Sequence, residues 1–161
     1  MHAKKAALLE IAARFNKIGV TPLLYGSLGL SERLRRDLNV DDIDVLIPAE
    51  YLRGKWEITV QIMQQTGFAL CDLHEHAFSR GGLVAAYAPL EELHGFAGVD
   101  IAAIPVCRAS GAEYLLLALA DYLRVYQASA KDGYRRDTKH KNDSEKIRLI
   151  MQAMNSETGG N

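Results

Sequence analysis

Cysteine is nearly missing from this chain: there are two in 161 residues, Cys71 and Cys107, far apart and each flanked by apolar neighbours. That scarcity excludes the disulfide framework of a small secreted domain, and the pair reads as buried free thiols in a reducing compartment. Net charge is also missing, since 19 Lys and Arg stand against 20 Asp and Glu. A balance this even argues against a nucleic-acid partner, which would ask for a basic patch or stripe. No apolar run spans a bilayer; the most apolar stretch, Tyr114 to Tyr126, is short and interrupted by Asp121 and Arg124. At the N-terminus Lys4 and Lys5 are followed by Glu10 and Arg14, leaving no signal-peptide core. There is no internal repeat and no linker long enough to separate domains. The expectation is one cytoplasmic domain over residues 1–161, with a core at about 20–106, a helical region at about 110–155 and a disordered tail at 156–161.

What is present is a mixture of periods. Leu8, Ile11, Ala12, Phe15 and Ile18 fall at helical spacing, which predicts a helix over residues 4–18 stopped by Gly19. A short apolar strand, Leu23–Tyr25, follows Pro22, and a helix is predicted from Ser27 to Arg36. A second strand runs from Asp42 to Ile47, and Trp56–Gln65 reads as a helix closed by Gly67. Phe68–Glu75 and Leu83–Tyr87 read as strands, the second entered through a Gly81-Gly82 hairpin turn. Glu91–Phe96 reads as a short helix, Val99–Val106 as a strand and Glu113–Tyr126 as a buried helix. Lys131–Asp143 reads as a loop, before a final amphipathic helix marked by Ile147, Ile150, Met151 and Met154. Strands and helices mix without strict alternation, so the predicted class is α+β, a mixed β-sheet with helices packed on it.

The chemistry concentrates between Leu23 and Ile47. An apolar run ends in Gly26-Ser27, and a second apolar run carries Asp42 and Asp44. Alternate strand residues share a face, so the two carboxylates would stand side by side. They repel each other unless a cation sits between them, and hard oxygen ligands suit magnesium. A Gly-Ser turn at a helix start offers backbone N–H groups and a hydroxyl to a phosphate. Neighbouring alternatives fail on their residues: Gly26-x-x-Gly29 lacks the lysine of a P-loop and the third glycine of a dinucleotide fingerprint, and no Gly-x-Ser-x-Gly elbow exists.

Gly26-Ser27, a helix, Asp42-Ile43-Asp44, and a later segment bearing Asp100 together resemble the nucleotidyltransferase fold superfamily, which includes DNA polymerase beta and the antibiotic and minimal nucleotidyltransferases. The resemblance covers roughly residues 23–105. It implies that Gly26 and Ser27 hold a nucleotide's phosphates, that Asp42 and Asp44 bind magnesium as one or two ions, and that Asp100 completes the metal site or takes the acceptor's proton. A nucleoside triphosphate such as ATP is then a substrate, and the acceptor is a hydroxyl on a small molecule or a protein. Lys141-Asn142-Asp143 is similar to the Lys and Asp at the start of a C-terminal helix in antibiotic-type members, where the lysine contacts phosphates; a capped helix start with surface cations is the alternative. One departure stands out: fourteen residues separate Ser27 from Asp42, more than is usual in the superfamily. That gap supports a catalytically inactive nucleotide-binding or partner-binding module on the same fold.

Asp72, His74 and His76 would share one strand face, which reads as a locally bonded polar face, an acceptor-side wall or a transition-metal site. Arg33, Arg35 and Arg36 read as triphosphate contacts or as a solvated helix face. An apolar face on the last two helices would be covered within the chain or by a second copy, which leaves a homo-oligomer open.

Overall fold

The computed structural model describes residues 2–131 and 140–159, with side chains at 2–131 and 143–157. It divides into two compact units, one of Met1–Glu91 with Pro105–Leu116 and one of Glu92–Ile104 with Leu117–Asn161.

The first unit is built on a mixed seven-stranded sheet. Its strands are β1 (Leu23–Tyr25), β2 (Ile43–Ile47), β3 (Ala69–Asp72), β4 (Ala77–Arg80), β5 (Leu83–Pro89), β6 (Val106–Ala109) and β7 (Ala112–Leu116). Their order across the sheet is β3-β4-β5-β2-β1-β7-β6. The three-residue β1 is antiparallel to β2 and parallel to β7. Helix α1 (His2–Asn16) buries Ala7, Leu8, Ile11, Ala12 and Phe15, the stripe its spacing predicts. Helix α3 (Trp56–Gln65) buries Thr59, Ile62 and Met63. Between them Tyr87 of β5 is the hub: Phe15 lies 6.1 Å and Phe78 5.9 Å away by ring centroids, and its hydroxyl donates to Met63 Sδ at 2.9 Å. Burying Phe15 completely contributes about 1.5–3 kcal/mol.

The second unit holds helices α4 (Glu92–Ala97), α5 (Leu119–Lys131) and α6 (His140–Gly159), and in α5 the fully buried Tyr122 stacks on Tyr126 at 6.3 Å. Asp143, in the first turn of α6, is fully buried and accepts the Ser129 hydroxyl at 2.8 Å.

Mixed sheet and C-terminal helices are as predicted, and several elements are corrected. The run Glu113–Tyr126 is not one helix, because its opening residues belong to β7 and the helix begins at Leu119. The signal for the break is Ser110-Gly111, where both φ angles are positive (50° and 78°), as a two-residue hairpin requires. Val99–Val106 is not a strand: Ile101–Ala103 forms a 3-10 turn, and Pro105 lacks a donor for a ladder. Phe68–Glu75 shortens to the edge strand β3, all four residues of which are exposed. Cys71 on that edge is exposed and Cys107 half-exposed, so neither thiol is buried. The last helix runs through Ser156 and Glu157 to Gly159, into the expected disordered tail.

Candidate active site

Residues 23–47 form one strand–helix–strand unit around a single close approach. Strand β1 ends at Tyr25, and helix α2 (Gly26–Leu34) starts at once. Gly26 takes φ +62°, a conformation that costs a glycine little and an L-residue roughly 1–2 kcal/mol. Asp44 lies level with Tyr25 on one side and with Ala86 on the other. A Cβ at Gly26 would collide with Asp44 Oδ2 and lie 3.1 Å from that residue's Cβ and Cγ. The chain therefore needs glycine here twice over, for its dihedral and for its space. The N-terminal turn of α2, with Ser27 as its second residue, is thereby set against the Asp44 carboxylate.

Ile43 and Val45 are fully buried and Asp44 between them is half-buried, so it points away from their layer. Asp42 is exposed and stands one residue ahead of β2, not at its first position as predicted. Pairing begins at Ile43 with Ala85, and the acidic pair Asp41-Asp42 stays in solvent.

Asp100 belongs to the second unit. It is the exposed N-cap of the 3-10 turn, its Oδ1 accepting Ala102 N–H at 3.2 Å, and not a strand residue. His74 and His76 are not on a strand face either. They sit in the β3–β4 turn, where Asp72 Oδ1 accepts Glu75 N–H at 3.2 Å and His76 takes φ +50°. The His74 side chain is 93% exposed, whereas the His76 ring packs 5.2 Å from Trp56. Strand β4 starts at Ala77, level with Asp44 through Ala86, and runs toward the start of β5. The His76 carbonyl accepts the Tyr87 N–H at 3.2 Å, level with Val45, so this turn lies two strands across the sheet from β2. Lys141 falls in the first turn of α6, and its side chain lies outside the described residues. Arg33 donates to the Leu116 carbonyl at 3.0 Å, so its guanidinium is partly committed to the fold.

Among the described residues no group of three or more His, Cys, Asp and Glu is arranged to hold a metal ion. Magnesium asks for less: one or two carboxylates, with water and substrate phosphates filling the octahedron. By the chemistry of their donor atoms, Asp42 and Asp44 are hard oxygen ligands of that kind.

One group of side chains was invisible to sequence reasoning. Lys5 Nζ of α1 lies 2.6 Å from Glu32 Oε2 of α2 and 3.1 Å from the Tyr114 hydroxyl of β7. Nothing in the sequence links positions 5 and 114.

The fold is nucleotidyltransferase-like. The chain superposes on the crystal structure of ANT(2'')-Ia in complex with adenylyl-2''-tobramycin with a TM-score of 0.60, covering 95% of this chain and 90% of that one at 15% identity. On the solution structure of the antibiotic-resistance factor ANT(2'')-Ia the TM-score is 0.51, over 96% and 92% of the two chains at 18% identity. Likeness at these identities is one of fold. In sequence the chain belongs to the family of the uncharacterized protein YnaI of Bacillus subtilis (strain 168), to which it is 41% identical over 143 residues, 88% of this chain and 92% of that protein. No family model matches the chain. No helix among the described residues is long and apolar enough to cross a membrane.

Proposed function

We propose that the chain is a magnesium-dependent nucleotidyltransferase that moves a nucleoside monophosphate from a triphosphate such as ATP to a hydroxyl acceptor. The observation that carries this reading is the approach of Gly26 to Asp44, which sets a helix N-terminus beside a carboxylate. Phosphate oxygens are met by backbone N–H groups of the Gly26-Ser27 turn and by the Ser27 hydroxyl. Asp42 and Asp44 hold magnesium, which when bound neutralises charge developing on the phosphoryl oxygens. The acceptor oxygen attacks the α-phosphorus in line, the bond to the β-phosphate oxygen breaks, and pyrophosphate leaves with that electron pair. The acceptor's proton passes to a carboxylate, and the resemblance assigns this role, or a third metal contact, to Asp100. Lys141 is assigned a phosphate contact on the same ground. The acceptor is a small hydroxylated molecule, as adenylyl-2''-tobramycin in ANT(2'')-Ia suggests, or a protein hydroxyl. A triphosphate donor and two free thiols suit the cytoplasm.

A non-catalytic nucleotide-binding module is the second reading. Its support is that Asp100 accepts a backbone N–H of its own turn, in addition to the long connection from Ser27 to Asp42. Calorimetric titration of the four nucleoside triphosphates, with and without magnesium, tests both. Magnesium-dependent binding that Asp42→Asn and Asp44→Asn each weaken at least tenfold supports the site. No triphosphate binding under either condition overturns it, and binding without pyrophosphate release across hydroxyl acceptors selects the second reading.

A further inference from the structure

We propose that Lys5 is a positioning residue for the phosphate turn, fixing the direction of α2 by tying Glu32 to Tyr114; this rests on the reading of Gly26-Ser27 given above. Glycine is the most permissive residue in the chain, so a helix that starts at Gly26 does not have its direction set locally. Leu28 and Leu30, both fully buried, hold one face of α2 to the core, and a tie further along sets how the helix tilts on that face. Glu32 is six residues on, about 9 Å along the axis, and its carboxylate meets Lys5 Nζ at 2.6 Å. Lys5 also reaches the Tyr114 hydroxyl at 3.1 Å and lies 5.1 Å from the centroid of that ring. Tyr114 belongs to β7, whose next two residues, Leu115 and Leu116, pair with Leu23 and Leu24 of β1. A second fastening runs from Arg33 to the Leu116 carbonyl. The result is a closed triangle: β1 to β7 by ladder, β7 to α2 by side chains, and α2 back to β1 through the glycine.

The centre of this triangle is sheltered, with about a fifth of the Lys5 side chain and a quarter of Glu32 exposed. Burial works against the ammonium, but Glu32 and Tyr114 outweigh it and hold the lysine above its ordinary value. Removing Lys5 would leave Glu32 half-buried without this cation and let α2 tilt on its buried face of Leu28 and Leu30. The phosphate turn would then be intact in composition and wrong in aim.

The test is a double-mutant cycle on full-length protein, titrated with ATP and magnesium by calorimetry, with thermal unfolding alongside. Ser27→Ala removes one phosphate contact and Lys5→Met removes the tie while keeping most of the apolar stem. Each single variant is expected to weaken ATP binding about fivefold. Together they should weaken it by clearly less than the product, because Ser27 contributes little once the turn is misaimed. Lys5→Arg should restore most of the affinity. A general loss of stability would lower the melting temperature without coupling to Ser27, so multiplicative effects, or wild-type affinity in folded Lys5→Met, overturn the proposal. Should Lys5→Met fail to fold, Glu32→Gln takes its place in the same cycle. Wild-type protein that binds none of the four nucleoside triphosphates refutes the nucleotide reading itself; binding that Ser27→Ala weakens but the Lys5 and Glu32 variants do not refutes only the positioning role.

Discussion

Replacing Gly26 by alanine tests the geometry of the site with one methyl group. Two costs follow from the structure. The first is conformational: at φ +62° an L-residue loses roughly 1–2 kcal/mol relative to a neighbour in an ordinary helix. The second is steric, since the new methyl would meet Asp44 Oδ2 and press to 3.1 Å on Asp44 Cβ and Cγ. Asp44 has little freedom to withdraw, because its backbone is pinned between Tyr25 and Ala86 in the middle of the sheet. Overpacking of this kind costs about 1–3 kcal/mol, so Gly26→Ala should destabilise the chain by about 2–5 kcal/mol. Urea unfolding at constant m-value measures it. The steric cost can be separated, since in an Asp44→Ala background the clash with Oδ2 is gone and Gly26→Ala should cost no more than about 2–3 kcal/mol. A cost under about 0.5 kcal/mol in the wild-type background would show that the turn reorients freely and is not held against Asp44.

Two further outcomes concern the frame around the site. Burial raises the phenol of Tyr87, burial outweighs Lys5 in raising that of Tyr114, and the partners of Lys5 outweigh burial in raising its ammonium. All three groups hold their protons more tightly folded than unfolded, so their contribution is complete below about pH 10 and is lost as pH climbs from the ordinary values toward the raised ones. Stability measured by urea unfolding should therefore fall steeply above about pH 10, and Tyr114→Phe should flatten some of that fall; an alkaline profile no steeper than that of Tyr114→Phe contradicts the linkage. Ser31 in α2 is 1% exposed and its Oγ has no hydrogen-bond partner among the described residues. Ser31→Ala removes that buried hydroxyl and improves helix propensity, which should stabilise the chain by about 1 kcal/mol, or roughly 2–4 °C in melting temperature. A destabilised variant would mean that the hydroxyl is satisfied in solution.

Much of the frame was legible where local chemistry decides it. Leu23–Tyr25 and Trp56–Gln65 have the boundaries the sequence predicts, since Pro22 and Gly67 punctuate them. The Gly81-Gly82 hairpin is also where expected, with both φ angles positive. The failures lie where apolar content masks period. Glu113–Tyr126 is apolar throughout most of its length, and such a run does not distinguish a buried strand from a buried helix; Ser110-Gly111 carried the missing information. Apolar neighbours suggested that Cys71 is buried, but burial depends on the order of strands, and β3 falls on an edge. At the candidate site, Asp42 falls one residue ahead of β2, whereas the helix start at Gly26-Ser27 and the place of Asp44 within that strand were readable from the pattern. The ties that aim α2 were not, because they join positions 5, 32 and 114, and sequence proximity carries no trace of them.

The three-residue β1 has a consequence for synthesis. One of its two ladders is to β7, ninety-two residues downstream at Leu23 and Leu115, while the segment 92–104 belongs to the second unit in between. Contacts so distant in sequence form late, after their loop-closure entropy has been met. A chain emerging from the ribosome therefore carries Gly26-Ser27 and both carboxylates long before the strand that anchors them exists. The segment 23–47 is thus translated well before the strand that completes its pairing. Truncation before Ala112 should leave helices α1 and α3 able to collapse on β2, β4 and β5 while the Gly26-Ser27 turn stays unaimed.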